Sequence, residues 1–237
     1  MKLFIISDVH GRSNWQHFVD IRHLIKLPNL ETDYDKYIFL GDYVDSYTET
    51  DAVILYNLQQ IIQFKKNYPD NVILLLGNHD LQYMFEFNNH GCSGYRPEMY
   101  QELHKLFQDN KELFQPVYRI NNYLFTHAGV TTIWKKYLNE TTDGTTYEGD
   151  IDQIINTMFD SYDYYLFIVG YARGGHHKSG GPFWADKSES SAWVLPNYHQ
   201  VVGHHPVKDA PYTHKVDDNT SITYVDNNET GILELEI

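Results

Sequence analysis

Five short apolar runs, each ending in polar residues able to bind a metal, constrain this 237-residue chain more than any other feature. Leu3 to Ile6 runs into Ser7-Asp8-Val9-His10-Gly11, and Tyr37 to Leu40 into Gly41-Asp42-Tyr43-Val44-Asp45. Val72 to Leu76 leads to Gly77-Asn78-His79-Asp80, and Tyr123 to Phe125 to Thr126-His127-Ala128-Gly129. The fifth and shortest, Val201-Val202, leads to Gly203-His204-His205. Continuous apolar runs bounded by turn residues suit strands covered on both faces. Helical patterns lie between the first three. Ser13 is placed to cap a helix carrying Trp15, Phe18, Ile21 and Ile25. A second helix is expected from Asp51 to Lys66, with Val53, Leu55, Leu58, Ile61 and Ile62, ending before Pro69. The opening therefore reads strand–helix–strand–helix–strand. In such α/β sheets ligands gather at the carboxyl ends of the strands, where the polar clusters fall.

Further along, a helix is expected after Pro97 through Leu103 and Phe107, and another from Asp150 to Phe159. Asn121-Asn122 marks a hairpin turn between Val117–Ile120 and Tyr123–Phe125. Two tail strands, Ser221–Val225 and Ile232–Ile237, are separated by Asn227, Asn228 and Gly231. The Gly-rich, basic stretch from Gly170 to Gly181 reads as the rim of a site, because strand-like segments resume after it. No internal repeat or low-complexity linker divides the chain, so residues 1–237 are expected to form one domain. That length buries a sizeable core.

Charge excludes one class of function. The formal net charge is −14 with no Lys/Arg-rich run, whereas a protein that coats nucleic acid needs a basic patch to displace counterions. An acidic chain still handles a phosphate if bound cations invert the local charge. The lone Cys92 makes no internal disulfide and belongs to no Cys-rich metal spacing, which fits a reducing compartment. The apolar run at the N-terminus is too short for a signal-peptide core. No stretch approaches the ~20 apolar residues of a membrane span. A cytoplasmic location without a membrane partner is expected. The 20 tyrosines are read as compositional bias.

Two adjacent divalent cations need oxygen and nitrogen ligands, with at least one carboxylate able to bridge. Asp8, His10, Asp42, Asn78, His127 and His204 supply such a set, each just after an apolar run. Singly, these blocks are weak signals, since Asp and Gly end strands anyway and an isolated His is commonly structural. Their conjunction, in order, carries the reading. At these residues the chain resembles the calcineurin-like metallophosphoesterases and, within them, the phosphoprotein phosphatase group with its bacterial and phage serine/threonine phosphatases. That group is marked by Asp-X-His-Gly, Gly-Asp-X-Val-Asp, Gly-Asn-His, His-Ala-Gly or His-Gly-Gly, and a late Gly-His, and all five blocks stand between Asp8 and His204. The resemblance implies an α/β fold, an α-β-β-α sandwich of two mixed sheets flanked by helices, with the metals at the sheet edge.

The resemblance also implies roles. Asp8 and His10 would hold a first metal, Asp42 would bridge, and Asn78, His127 and His204 would hold a second. His205 is either a neighbour of that site or a replacement for His204 as ligand. His79 would be the general acid and Asp45 its orienting partner. Residues three apart, such as Asp42 and Asp45, can serve a metal and a neighbour respectively. The cofactors are then two divalent ions, manganese foremost, with Fe, Zn, Co or Ni as other choices. Such ions, about 3.5–4 Å apart, share a water and lower its pKa, supplying hydroxide for in-line attack on phosphorus. The implied partner is a phosphorylated substrate, a protein or a small molecule. A dinucleoside polyphosphate hydrolase is the alternative specificity, and a binding scaffold without catalysis the remote one.

One departure from the family pattern matters. Close relatives continue Gly-Asp-X-Val-Asp with Arg-Gly, whereas Ser46-Tyr47 follows here. The missing Arg normally grips phosphate. Arg12, Arg96 and Arg173 are the candidate replacements. Tyr171-Ala172-Arg173-Gly174-Gly175, followed by Gly181-Pro182-Phe183-Trp184-Ala185-Asp186, is similar to the Arg- and Trp-containing loop of bacterial members, which favours Arg173.

Overall fold

The computed structural model describes residues 1–19, 34–85, 91–140 and 147–237. Strands β1–β10 and helices α1–α6 are numbered in chain order. The chain divides into two compact units, one of Met1–Phe114 with Asn228–Ile237, the other of Gln115–Asn227.

The first unit is built on β1 (Lys2–Ile6), β2 (Lys36–Phe39), β3 (Val72–Leu75), β4 (Phe114–Gln115) and β10 (Ile232–Glu236), in the order β10-β1-β2-β3-β4. β1, β2 and β3 are parallel, with Leu3 opposite Lys36 and Tyr37 opposite Val72, and β10 runs antiparallel to β1. The three parallel strands end on one edge, as the apolar runs require. β3 is buried along its whole length, as expected of a strand covered on both faces. Helix α1 (Asp51–Asn67) buries Ile54, Asn57, Leu58, Ile61, Ile62 and Phe64 on one stripe and ends just before Pro69. Trp15 is fully buried beside it, its ring 5.4 Å from Phe39 and its Nε1 donating to Asn57 Oδ1 at 2.8 Å. The helix expected to start at Ser13 is, over the described residues, one 3-10 turn (Asn14–His17) without a side-chain cap. Phe18 is exposed, and Ile21 and Ile25 lie outside the described residues. Helices α2 (Asn78–Met84) and α3 (Tyr100–Gln108) also belong to this unit.

The second unit carries β5 (Val117–Ile120), β6 (Tyr123–Thr126), β7 (His199–Val202), β8 (Tyr212–Asp217) and β9 (Thr220–Tyr224), in the order β5-β6-β7-β9-β8. β6, β7 and β9 are parallel, while β5 and β8 pair antiparallel at the edges. Asn121, at φ 54°, makes the tight turn between β5 and β6. Helices α4 (Thr132–Glu140), α5 (Ile151–Asp160) and α6 (Lys187–Ala192) flank this sheet's sequence. On α5 the apolar residues Ile151, Ile154, Ile155 and Met158 face inward at helical spacing. Both sheets are mixed, in keeping with the expected α/β class. Among the described residues no helix is long and apolar enough to cross a membrane.

Candidate metal centre

In the first unit, the turns after β1 and β2 are tied together by backbone, and the segment after β3 joins them through side chains. The amides of Val9 and His10 donate to Asp42 O at 3.1 and 2.7 Å, and Gly11 N donates to Tyr43 O at 2.8 Å. His10, Asp42 and Asp45 all have left-handed backbones, at φ 46°, 53° and 62°. Non-glycine residues rarely adopt this conformation, and it persists where surrounding contacts enforce it, as at functional sites. Two glycines let the turns close. A Cβ on Gly41 would lie 2.3 Å from Gly77 N, and one on Gly77 would lie 2.1 Å from Asp42 Oδ1.

Asp80 is the buried fastener of this arrangement. Its Oδ2 accepts from Gly77 N and Asp42 N, and its Oδ1 from Tyr43 N, all at 2.8 Å. Sequence reasoning did not single it out as functional. The available signal was an acidic residue at the third position of a helix entered through Gly77, the place from which a carboxylate reaches back to backbone donors.

His10, Asp42 and His79 bring their ligand atoms within 4.8 Å of one another. Nε2 of His10 and Nε2 of His79 stand 3.8 and 4.0 Å from Asp42 Oδ2. His10 Nδ1 lies 2.9 Å from Val44 O. A carbonyl only accepts, so Nδ1 carries the proton and the lone pair is on Nε2, toward Asp42. Burial lowers the pKa of His10, although Asp42 opposes the shift, and a neutral imidazole is the ligand form. Asp8 is buried at the end of β1 and Asn78 opens α2, its Nδ2 donating to Cys92 Sγ at 3.2 Å. Imidazole, carboxylate and amide donors at one strand edge suit a borderline divalent cation such as manganese, iron or zinc.

His79 is held differently from His10. Its Nδ1 lies 2.9 Å from Asp45 Oδ2, and its backbone N donates to Asp42 Oδ1 at 3.0 Å. Burial disfavours the imidazolium, but Asp42, and then the hydrogen bond and charge of Asp45, outweigh it and raise the pKa. Ser46 is buried and uses its hydroxyl to accept from the amides of Thr48 and Glu49. Arg96 donates to the carbonyls of Ser46 and Glu49 and pairs with Asp51, so its guanidinium staples this loop. Arg12 donates to the carbonyls of Asp8 and Glu229.

In the second unit, His127 follows β6 and His204 follows β7 at φ 62°, both buried. Gly203 N donates to His127 O at 2.9 Å and so ties these turns together. His127 Nε2 and His204 Nδ1 are 3.0 Å apart. Two nitrogens that share a zinc-like ion at 2.0–2.1 Å are separated by about 3.3 Å at a tetrahedral angle, so the pair fits one cation. His205 turns elsewhere: its Nδ1 lies 2.8 Å from Arg173 Nη2. Arg173 ends a 3-10 turn (Tyr171–Arg173) closed by Gly174 at φ 79°, and its Nε donates to Asp186 Oδ2 at 2.9 Å. Arg173 always donates, so His205 Nδ1 accepts and its proton resides on Nε2.

Mixed sheets whose parallel strands end in histidine, carboxylate and amide clusters define a metal-binding α/β protein of the phosphoesterase type. The calcineurin-like phosphoesterase family matches residues 1–228, and the chain belongs to it. Human serine/threonine-protein phosphatase 5 is 31% identical over 110 residues, covering 45% of this chain and 20% of that protein. Serine/threonine-protein phosphatase T of Trypanosoma brucei brucei is 26% identical over 146 residues, covering 59% of this chain and 28% of that protein. The chain thus spans under a third of the length of these curated relatives. A solved mutant cold-active protein tyrosine phosphatase aligns over 99% of this chain and 75% of its own, with a TM-score of 0.57 and 19% identity, a likeness of fold.

Proposed function

We propose that this chain hydrolyses phosphate monoesters, on phosphoproteins or small molecules, with two divalent cations, manganese foremost. The observation that carries the reading is His79, set against Asp42 and hydrogen-bonded through Nδ1 to the buried Asp45. Asp8, His10, Asp42, Asn78, His127 and His204 would hold the cations. When bound, these supply Lewis acidity and a water activated at neutral pH. The chain's own residues do the rest. Asp45 keeps the His79 Nδ1 proton in place, so Nε2 is the atom that protonates the departing oxygen. Arg173, oriented by Asp186, takes phosphate oxygens on the remaining edge of its planar fork. Family membership and the serine/threonine phosphatase relatives support a phosphopeptide substrate.

The test is metal removal. Chelate and dialyse the protein, verify the loss by elemental analysis, and assay 4-nitrophenyl phosphate, a phosphopeptide, nucleotides and a dinucleoside polyphosphate with Mn, Ni, Co, Zn, Mg or Ca. Activity should vanish and return with Mn but not with Ca. Full turnover in a verified metal-free preparation sinks the proposal, and preference for the dinucleoside polyphosphate transfers the specificity to that class. His79→Asn should keep both metals and lose roughly 10²–10⁴-fold in turnover, whereas Asp42→Asn should lower metal content. Loss of metal from His79→Asn would instead make His79 a ligand.

A further inference from the structure

Asp45 is buried and receives three side-chain donors. His79 Nδ1 and Gln82 Nε2 meet its Oδ2, and the Tyr83 hydroxyl donates to its Oδ1 at 2.5 Å. His79, Gln82 and Tyr83 lie on α2 at spacings of three and four residues, so one helix face converges on one carboxylate. Gln82 and Tyr83 are anchored at their other ends too. Gln82 Oε1 accepts from Cys92 N at 2.9 Å, and the Tyr83 oxygen accepts from Arg96 N at 3.0 Å. Arg96 in turn grips the carbonyls of Ser46 and Glu49 just beyond Asp45.

A carboxylate held only by His79 could rotate about its Cβ–Cγ bond and carry the imidazole with it. Donors on both oxygens fix the plane. We infer that Tyr83 and Gln82 are positioning residues: they lock Asp45 and thereby aim His79 Nε2 at the leaving oxygen. The inference rests on the proposed role of His79 as proton donor.

The test compares phenyl phosphate, whose leaving oxygen needs a proton, with 4-nitrophenyl phosphate, whose leaving group does not. In Tyr83→Phe, which deletes one oxygen, the ratio of kcat/KM for the nitrophenyl over the phenyl ester should rise about tenfold, a part of the full general-acid contribution. The same substitution in a His79→Asn background should leave the ratio where His79→Asn alone puts it. In the NMR spectrum the downfield His79 Nδ1 proton, identified by its loss in His79→Asn, should shift in Tyr83→Phe. Should Tyr83→Phe fail to fold, Gln82→Met carries the same comparisons. An unchanged ratio with an unchanged resonance overturns the inference. So does an equal fall on both esters that persists without His79. If His79→Asn itself leaves the ratio unchanged, the general-acid reading falls and the inference with it. If His79→Asn raises the ratio and Tyr83→Phe does not, only the inference is lost.

Discussion

Three backbone amides depend on the two oxygens of Asp80, and all three belong to turns that carry proposed ligands. Asp80→Asn keeps the shape but offers one accepting oxygen. Either the Tyr43 amide or the Gly77 and Asp42 amides then face an NH2 group. A buried donor left unpaired costs about 1–3 kcal/mol, so the unfolding free energy should fall by that much, lowering the denaturant midpoint, and metal affinity should fall with it. A variant as stable as wild type with unchanged metal content would refute this role. Asp186 gives a test in pH. Burial raises its pKa, but hydrogen bonds from Ser188, then Arg173 and His205, outweigh it and hold the group below the ordinary value. A carboxyl depressed in the folded state contributes stability that is complete above its unfolded pKa of about 3.9 and is lost as pH falls through the folded value. The stability gap between wild type and Asp186→Asn should therefore be constant near neutrality and close below pH ~4. Urea titrations along a pH series read it, and a gap that widens on acidification would contradict the geometry.

At the scale of elements, the strands were legible because they are buried on both faces and so carry unbroken apolar runs. Each of the five runs is a strand, and its polar cluster follows it, in a turn after four of them and in the first turn of α2 after β3. Helix α1 was equally plain from its periodic Leu58, Ile61 and Ile62. Short helices were not. α2 has seven residues and α6 six, under two turns, too few for a 3.6-residue period to emerge, and α2 begins inside the Gly-Asn-His block itself. Edge strand β8 was invisible for the opposite reason: its side chains are mostly exposed, and backbone pairing with β9 holds it. Of the candidate site, the histidine and carboxylate clusters were legible because each closes an apolar run. The supports Asp80, Gln82 and Tyr83 were not, because ordinary polar residues on a helix carry no motif. Packing energetics gives the test for α1. Leu58 is fully buried, so Leu58→Ala should cost about 2–5 kcal/mol, measured by urea unfolding. A loss under 1 kcal/mol would mean that α1 is not held by this stripe.

Over the whole molecule, 32 acidic residues oppose 18 basic ones. A chain at −14 repels a phosphate dianion, with the repulsion screened beyond about 8–10 Å at physiological salt. Affinity for an anionic substrate must then come from fixed positive charge. The first compact unit carries His10, Asp42 and His79, whose clustered nitrogen and carboxylate atoms are of the cation-ligand type. The second carries His127 with His204, and Arg173 held by Asp186. Arg12 and Arg96 are engaged by backbone carbonyls and Arg173 by Asp186 and His205, and the proposed contact with phosphate falls to Arg173 on its loop motif. Metal and guanidinium should therefore act together. Titrated calorimetrically, inorganic phosphate should bind the Mn-loaded protein and give no measurable heat with the chelated one. Arg173→Ala should weaken binding to the loaded protein about tenfold or more while leaving metal content unchanged, since a charged hydrogen bond contributes about 1.5–3 kcal/mol. Arg173→Lys should recover little, because an ammonium lacks the planar fork. Phosphate binding of equal strength with and without metal would show that the acidic chain gathers its anion by some other route.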